Sequence, residues 1–378
     1  MLVLDAESII RSAQDNTGLE HFGDESFREP LGVLVDAINR DAGLTDEALA
    51  MSHGELARSL EIRLRAQSWF DDVPEIATET VAPAFVIVGP QRSGTSKLFR
   101  LLAADPRWTK LYTWQAMNPI PPSRAPTDRP DPRIAEAEAF VERLRWLQPA
   151  HEMDAHAPEM EAMLMTHGFM TNSPTRLVPS HQRYCEAADH TAVYGWLHSM
   201  LQFIQWQNGG ERRPWILKSP THLPTLRELH AQYPDAALVM THRHPLTSVA
   251  SMLKLVELGT ERHARTVDRN KIRDMWLHIL TLNMQRFLEF RDQVTTAQWI
   301  DVPYPELSTQ SHGSVRRIYE GIGVRLTAET LAIMDDWERA NPPHKQGEFV
   351  YRLEDYGLTE ADVEHEFSAY ISRFGQLF

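Results

Sequence analysis

The sequence predicts an α/β fold, a three-layer sandwich with a central parallel sheet and an N-terminal helical extension. Three short apolar runs, at residues 85–88, 214–220 and 236–243, are typical of buried strands. Each run is followed by a segment with apolar residues at helical spacing. Strands that alternate with helices call for a parallel sheet that helices cover on both faces.

The helical extension is predicted over residues 1–80 and the α/β domain over residues 81–378. Apolar residues recur at helical spacing in the extension, at Leu31, Leu34, Val35, Ile38, Leu56, Leu60 and Leu64. Asp46 and Ser52 are candidate starts of two short helices. The extension carries no chemical motif, so we expect it to serve as a cap or as a partner surface.

Helices and loops of the α/β domain follow the same patterns. A helix is expected from Lys97 to Ala104, after the first strand. Six prolines between residues 118 and 133 predict an irregular surface loop, and a helix is expected from Ala135 to Leu147. Helices after the second and third strands are indicated by Leu223, Leu226, Leu229, Val249, Met252 and Leu255.

Composition and charge exclude several classes of protein. A net charge of −14 argues against general nucleic-acid binding, which needs a basic face. The one cysteine, Cys185, excludes an intrachain disulfide framework and is more typical of a buried thiol than of a nucleophile. No stretch approaches the about 18 apolar residues of a membrane span, and the N-terminus lacks a secretory signal pattern. We therefore expect a cytoplasmic protein.

Residues 85–98 carry the most informative motif of the chain. A buried strand ends at Gly89, and a helix follows a short loop that is rich in small and hydroxyl residues. Such a loop points backbone N–H groups and a positive helix end at one spot, which suits a phosphate-like anion. Gly89 and Gly94 have the spacing of a nucleotide-triphosphate loop, but Thr95 stands where that loop has lysine. The cation is Arg92, inside the loop.

Two separated motifs together resemble one family. The sequence Pro90-Gln-Arg-Ser-Gly-Thr-Ser96 resembles the 5′-phosphosulfate loop of sulfotransferases that use 3′-phosphoadenosine 5′-phosphosulfate (PAPS). Arg243 and Ser251, eight residues apart, resemble the family's 3′-phosphate motif, in which an arginine ends the third strand and a serine lies on the next helix. The resemblance covers about residues 83–378 and is closest to bacterial members.

The resemblance implies PAPS as the sulfuryl donor, with a P-loop-like phosphosulfate loop in the fold and no required metal. Sulfuryl transfer builds charge on the bridging and leaving oxygens, so fixed cations and N–H dipoles lower its barrier. Arg243 and Ser251 would then hold the 3′-phosphate. The loop residues expected to bind the donor are Arg92, Ser93, Gly94, Thr95 and Ser96.

The end of the second predicted strand supplies two further candidates. Lys218 resembles the lysine that family members place near the transferring group. His222 resembles the histidine that deprotonates the acceptor hydroxyl in the cytosolic branch, although the two residues are closer together there. A histidine is suited to this role because its ordinary pKa of about 6.5 leaves it neutral and basic. The alternative is an ordinary residue at a helix start that Ser219 caps.

Glutamate is the base in other branches of the family, which leaves a second candidate. The stretch comparable to the protein-tyrosine branch offers Gln115, which cannot accept the proton. Glu159 is therefore the alternative catalytic base. It also belongs to a cluster with His151, Asp154 and His156, but their spacing matches no established metal site, so a solvated helix start is the preferred interpretation.

Two other segments bear on ligands. A Met-rich, aromatic segment is more often core, but it could line an apolar acceptor site for a hydrophobic alcohol, phenol, lipid or glycolipid; it comprises Met153, Met160, Met163, Met165, Phe169 and Met170. Residues 341–349 resemble the loop with which relatives close over the 3′-phosphate. Lys345 would be its cation, and a plain exposed loop is the alternative.

Sulfotransferase is thus the function that the sequence predicts, with a small-molecule or lipid hydroxyl as acceptor. A small-molecule kinase with a divergent phosphate loop is the alternative enzyme, and it would turn over Mg²⁺–ATP. A non-catalytic nucleotide-binding scaffold is the third possibility. The helices of the extension could also support a homo-oligomer.

Overall fold

A parallel sheet forms the centre of the protein. A computed structural model describes residues 3–124, 131–171, 173–209, 212–342, 345 and 347–378. Within these residues, four strands pair in the order β2-β1-β3-β4 and all run parallel; they are β1 (Pro83–Ile87), β2 (Trp215–Lys218), β3 (Ala237–His242) and β4 (Trp299–Pro303). Their carboxyl ends therefore lie at one edge of the sheet, where ligands bind in such folds.

Helices account for most of the remaining described residues. In chain order, the α-helices are α1 (Ala6–Thr17), α2 (Arg28–Asp41), α3 (Asp46–Asp72), α4 (Thr95–Leu102), α5 (Thr113–Met117), α6 (Pro132–Arg143), α7 (Ala162–Met165), α8 (Pro179–Ala187), α9 (Thr191–Gln207), α10 (Leu226–Gln232), α11 (Pro245–His263), α12 (Arg269–Gln293), α13 (Tyr304–Thr309), α14 (Ser311–Gly321), α15 (Ala328–Ala340), α16 (Glu360–Glu366) and α17 (Ser368–Phe374). Short 3₁₀ turns are Pro74–Thr78, Arg145–Leu147, Thr166–Gly168, Pro220–Thr225, Glu354–Tyr356 and Gly375–Leu377.

The strands bury side chains on both faces of the sheet. Along β1, Phe85 and Ile87 pack with α4, α14 and α15, whereas Val86 and Val88 pack on the opposite face with α9, α11 and α12. Successive side chains of a strand point to opposite faces of its sheet. The same strand therefore contributes side chains to the core on each face. The predicted α/β sandwich with a central parallel sheet is confirmed.

The N-terminal helices have a core of their own, and α3 connects it to the main one. Leu60 and Leu64 of α3 pack among residues of α1 and α2. Further along the same helix, Ile62 and Trp69 join the core that covers the sheet. The domain boundary at residue 80 stays a prediction, because one helix contributes to both cores.

Several boundaries differ from the predicted ones. Asp46 begins α3 and Thr45 caps it, but Ser52 is buried inside that helix, so the second helix start was wrong. The helix expected from Ala135 begins at Pro132, within the predicted proline-rich loop. Residues 125–130 of that loop lie outside the described residues. Strand β4 was not predicted, because Asp301 interrupts its short apolar pattern.

Replacing Leu60 with alanine tests whether the N-terminal extension and the α/β domain unfold in one cooperative transition. Leu60 is fully buried, so the cavity should cost about 2–5 kcal/mol. Because α3 joins both cores, we expect one calorimetric transition at a lower temperature. The control Met51→Ala, on an exposed face of α3, should change stability by less than about 0.5 kcal/mol. Two transitions, of which only one moves in Leu60→Ala, would contradict the expectation.

Candidate active site

The loop between β1 and α4 depends on glycine at both ends. A Cβ atom at Gly89 would lie 1.9 Å from Thr241 Oγ1 and 3.0 Å from the Thr241 backbone nitrogen. Gly94 caps α4 with a φ of +89°, and a Cβ atom there would lie 2.8 Å from the Tyr304 ring. Only glycine allows the chain to turn this closely against β3 and α13.

The loop presents backbone donors beyond the sheet edge. The first intrahelical hydrogen bond of α4 runs from the Leu98 N–H to the Gly94 carbonyl, at 3.0 Å. The N–H groups of Thr95, Ser96 and Lys97 therefore have no helical acceptor. Together with the positive end of the helix dipole, they favour an anion in front of the loop.

Ser93 holds the loop in shape. Its hydroxyl is fully buried, donates to the Pro90 carbonyl at 2.6 Å, and is 2.6 Å from the Thr241 hydroxyl. With its proton on Pro90, the Ser93 oxygen accepts from Thr241. In this conformation the Ser93 side chain ties the loop to β3 and gives no hydroxyl proton to a ligand.

Arg92 is held in an unusual conformation that directs its side chain toward α11. Its φ of +66° lies in the left-handed region, which is rare for a residue with a Cβ atom. Nε donates to Ser251 Oγ at 2.9 Å, and Nη1 donates to the Ala150 carbonyl at 2.7 Å. Burial lowers the pKa of this guanidinium, and the nearby Arg243 lowers it further.

Arg243 completes a cationic cluster at the end of β3. Its Nη1 donates to the Arg92 carbonyl at 2.7 Å, and its guanidinium lies 4.1 Å from the centre of the Tyr304 ring. The structure thus brings Arg92, Arg243 and Ser251 together. Within the described residues, neither guanidinium forms an ion pair with a carboxylate. Two adjacent cations without a carboxylate partner among the described residues suit an anion.

Lys218 ends β2 on the other side of β1. The side chain is 3% exposed, and Nζ lies 3.4 Å from Ser96 Oγ, so the amine faces the first turn of α4. Burial lowers the pKa of the Lys218 amine, whereas the nearby carboxylates of Glu159 and Glu161 raise it. The lysine charge is therefore directed at the same space as the loop N–H groups.

His222 is enclosed in a buried polar network. Its Nε2 lies 2.6 Å from Glu161 Oε1, and its Nδ1 lies 2.8 Å from the Tyr194 hydroxyl. That hydroxyl is in turn 2.8 Å from Thr225 Oγ1. The second oxygen of Glu161 accepts from the Lys218 backbone N–H at 2.9 Å. Both ring nitrogens of His222 are engaged, and the side chain is fully buried.

Glu159 has a carboxylate oxygen without a hydrogen bond. Its Oε1 accepts from the Met160 N–H at 2.8 Å, whereas its buried Oε2 has no partner among the described residues. Its neighbour His151 has a pKa of about 4, because burial favours the neutral ring more strongly than the Glu159 charge opposes it. Lys218 and Arg92 also lower that pKa. Glu159 is thus a carboxylate with one oxygen that accepts no hydrogen bond from the described residues.

The late segment reaches the cluster through a residue other than the predicted lysine. Lys345 is exposed, and its amine donates to Asn341 at 3.2 Å. Phe349 lies nearer the loop, with its ring centre 5.6 Å from the Arg92 guanidinium carbon. Pro343, His344 and Gln346 of this segment lie outside the described residues.

The Met-rich segment contributes mainly to the core. Met165 and Met170 are buried in the core that covers the sheet, and Phe169 is buried in that of the extension. Met153, Met160 and Met163 are half-buried and remain available to a ligand. Cys185 is buried, as expected, and burial raises the pKa of its thiol to about 12.

The acidic and histidine cluster does not converge on one point. The exposed His156 pairs with Glu138 at 3.1 Å, and Asp154 accepts from the His156 backbone N–H at 2.7 Å. Over the described ranges, no group of three or more His, Cys, Asp or Glu side chains has the geometry to hold a metal ion.

Comparisons with known proteins agree on one family. The chain matches the sulfotransferase family model over residues 83–328. Sulfotransferase STF1 from Mycobacterium tuberculosis H37Rv is 30% identical, with a TM-score of 0.84 over 97% of this chain and 99% of that chain. STF9 from Mycobacterium avium is 26% identical, with a TM-score of 0.86 over 98% and 97%. A curated relative, omega-hydroxy-beta-dihydromenaquinone-9 sulfotransferase Stf3 of Mycobacterium bovis, is 22% identical over 78% of this chain and 75% of Stf3.

The protein therefore belongs to the sulfotransferase family, and it is a sulfotransferase enzyme with bacterial relatives. The resemblance seen in residues 90–96 and in Arg243 and Ser251 is confirmed at the level of the family. In the part of the chain that the structure describes, no helix is long and apolar enough to cross a membrane.

Sequence reasoning missed two residues of this site. Glu161 is fully buried and holds both the Lys218 backbone and the His222 ring, yet in the sequence it is one acid among several. Thr241 supports Gly89 and Ser93, but a threonine inside an apolar strand gives no signal of that contact. Both roles depend on pairings between distant segments.

Substituting Gly89 with alanine tests the tight contact between the loop and β3. The new methyl group would collide with the Thr241 hydroxyl and crowd its backbone, so we expect a loss of about 1–3 kcal/mol in unfolding free energy. The control is Gly54→Ala in α3, where a Cβ atom meets nothing within 4 Å and alanine should stabilise the helix by up to about 1 kcal/mol. Chemical denaturation measures both. A Gly89→Ala protein as stable as wild type would refute the contact.

Proposed function

We propose that this sulfotransferase moves the sulfuryl group of PAPS to a hydroxyl group of a hydrophobic small molecule, lipid or glycolipid. The paired guanidinium groups of Arg92 and Arg243 are the observation that carries the donor assignment. They stand beside the Ser251 hydroxyl without a carboxylate partner among the described residues, in a chain whose net charge is −14. A site of this kind suits the 3′-phosphate that distinguishes PAPS from ATP.

The second anion of the donor would lie in front of α4. The N–H groups of Thr95, Ser96 and Lys97 at the start of α4 and the Lys218 amine would face it. The Arg92 guanidinium, which points toward Ser251, belongs in this conformation with the 3′-phosphate. Lys218 and the backbone N–H groups of the loop would then make most of the contacts to the phosphosulfate. Lys345 stays a candidate for closing over the nucleotide.

The reaction needs one bond to form and one to break. The acceptor oxygen attacks sulfur as the bond from sulfur to the bridging phosphate oxygen breaks, and the acceptor proton passes to a base. The leaving adenosine 3′,5′-bisphosphate takes the negative charge, which Lys218 and the loop N–H groups stabilise. The cations of the site meet this charge, so the proposal includes no metal ion.

Glu159 is the base that the geometry favours. His222 was the first candidate, but its two ring nitrogens already contact Glu161 and Tyr194 inside the protein. Glu159 Oε2 is buried and has no hydrogen bond to any described residue. An unpaired buried carboxylate oxygen is costly unless a ligand donates to it. His222 is then a residue that orders Glu161 behind Lys218.

The acceptor is proposed from two independent considerations. Half-buried methionines, among them Met160 next to Glu159 and Met163, can adjust to an apolar ligand. The relative Stf3 is named for a hydroxylated dihydromenaquinone, a lipid. A hydrophobic alcohol is therefore the acceptor class to test first. The cytoplasm as compartment and a homo-oligomer through the N-terminal helices also remain proposals.

Calorimetry with adenosine 3′,5′-bisphosphate and with ATP, each with and without Mg²⁺, tests the donor. We expect the bisphosphate to bind without metal. Arg243→Ala should weaken it at least about tenfold, because hydrogen bonds to charged groups contribute about 1.5–3 kcal/mol. The matched control is Arg265→Ala, an exposed arginine that contacts Leu44 and Asp46 of the extension.

The other outcomes identify the alternatives. Preference for Mg²⁺–ATP would point to a kinase and contradict the donor assignment. Bisphosphate binding without transfer from PAPS to any hydrophobic alcohol would point to a nucleotide-binding scaffold. Equal losses in Arg243→Ala and Arg265→Ala would show that the effect is not specific to the cluster.

The base is tested with PAPS labelled in its sulfuryl group and a bacterial lipid extract as acceptor. Glu159→Gln should lower the rate of label transfer about 10²–10⁴-fold while the affinity for bisphosphate changes less than about twofold. His222→Gln keeps an amide near Glu161 and should retain the rate within about tenfold. If His222→Gln abolishes transfer and Glu159→Gln does not, His222 is the base.

A further inference from the structure

The residue before Arg243 is fixed by a polar chain that runs behind the cationic cluster. His242 is fully buried at the end of β3, and its Nε2 lies 2.8 Å from Asp301 Oδ1 of β4. Arg291 holds the same carboxylate through two hydrogen bonds of 2.7 Å. Because a carboxylate only accepts, Nε2 carries a proton, and Nδ1 is the ring nitrogen left for a second partner.

Tyr370 of α17 supplies the hydrogen bond that the ring needs. Its hydroxyl lies 3.0 Å from His242 Nδ1, and it is 2% exposed. Burial raises the pKa of the Tyr370 phenol. The hydroxyl holds the ring of the residue directly before Arg243 in place.

Aromatic contacts hold the neighbours of Arg243 from the same side. The His242 ring stacks on Phe374, with centres 4.6 Å apart, and on Tyr370, with centres 5.9 Å apart and planes 14° apart. His244, on the other side of Arg243, contacts Phe378 edge to face at 5.3 Å. The segment from Tyr370 to Phe378 thus braces the backbone on both sides of Arg243.

We propose that Tyr370 is a positioning residue for the donor site, which sets the backbone of Arg243 so that its guanidinium reaches the 3′-phosphate. The inference rests on the proposed function, because it takes Arg243 as the donor anchor. The effect of Tyr370 on the donor passes through Arg243, whose guanidinium contacts the Arg92 carbonyl and the Tyr304 ring face.

Tyr370→Phe tests the proposal, because it removes the hydroxyl and keeps the ring. Calorimetry with adenosine 3′,5′-bisphosphate should give a Kd about three- to tenfold above wild type, at a temperature where the variant is folded. The control Tyr319→Phe removes another buried hydroxyl, one that contacts Asp105 and Trp108, and should leave that Kd unchanged. If Tyr370→Phe does not fold, His242→Gln replaces it. This variant keeps a donor toward Asp301 but loses the ring nitrogen that contacts the Tyr370 hydroxyl, and the same loss of affinity is expected.

A double-mutant cycle separates positioning from a general loss of structure. In the Arg243→Ala background, Tyr370→Phe should change the Kd less than about twofold, because the group through which it acts is gone. An unchanged Kd in Tyr370→Phe, equal increases in both tyrosine variants, or additive losses in the cycle would each overturn the proposal. Failure of the wild type to bind bisphosphate would instead overturn the proposed function.

Discussion

The contact between the β1 loop and the end of β3 is the constraint on which the site depends. Val88 donates to the Val239 carbonyl at 3.0 Å, which fixes the register of the two strands where the loop begins. With that register, Thr241 fills the space that Gly89 leaves open and binds the Ser93 hydroxyl. Arg243, two residues further on, can then reach the loop carbonyl at position 92. The anion site is thus a product of strand pairing, and a shift of one residue would turn Thr241 to the other face.

Local charge, and not the net charge of the protein, defines this site. The protein has a net charge of −14, yet Arg92 and Arg243 lie together at the sheet edge, and Lys218 faces the same loop from the end of β2. Their mutual repulsion disfavours the cluster when it is empty. A bound anion would relieve this repulsion. Its binding would also need little reorganisation, because the two guanidinium groups and the helix dipole are already oriented. The left-handed backbone of Arg92 is part of the same arrangement, since strained residues persist where surrounding structure holds them.

The sequence predicts the fold class, three of the four described strands and the segments that form the proposed donor site, because apolar periodicity and glycine spacing are local signals. It does not predict β4, in which Asp301 breaks the apolar pattern for a contact with His242 and Arg291. Nor could the sequence show that both ring nitrogens of His222 contact other side chains. The same holds for Glu159 Oε2, which has no hydrogen bond to a described residue. The contacts of His222 depend on where the fold places Glu161 and Tyr194. Contacts between such distant segments cannot be predicted from residue spacing in the sequence.

The arrangement of the donor site also bears on the kinetics of folding. Arg92 meets Ser251 across 159 positions of the chain, and His242 meets Tyr370 across 128. Closing such long loops costs entropy that only late, cooperative contacts offset. We therefore expect these contacts to form together with the whole domain and not before it. During refolding, the protein would then bind bisphosphate only after the last folding phase. A ligand that binds only the native state would slow unfolding and leave the rates of the early folding steps unchanged.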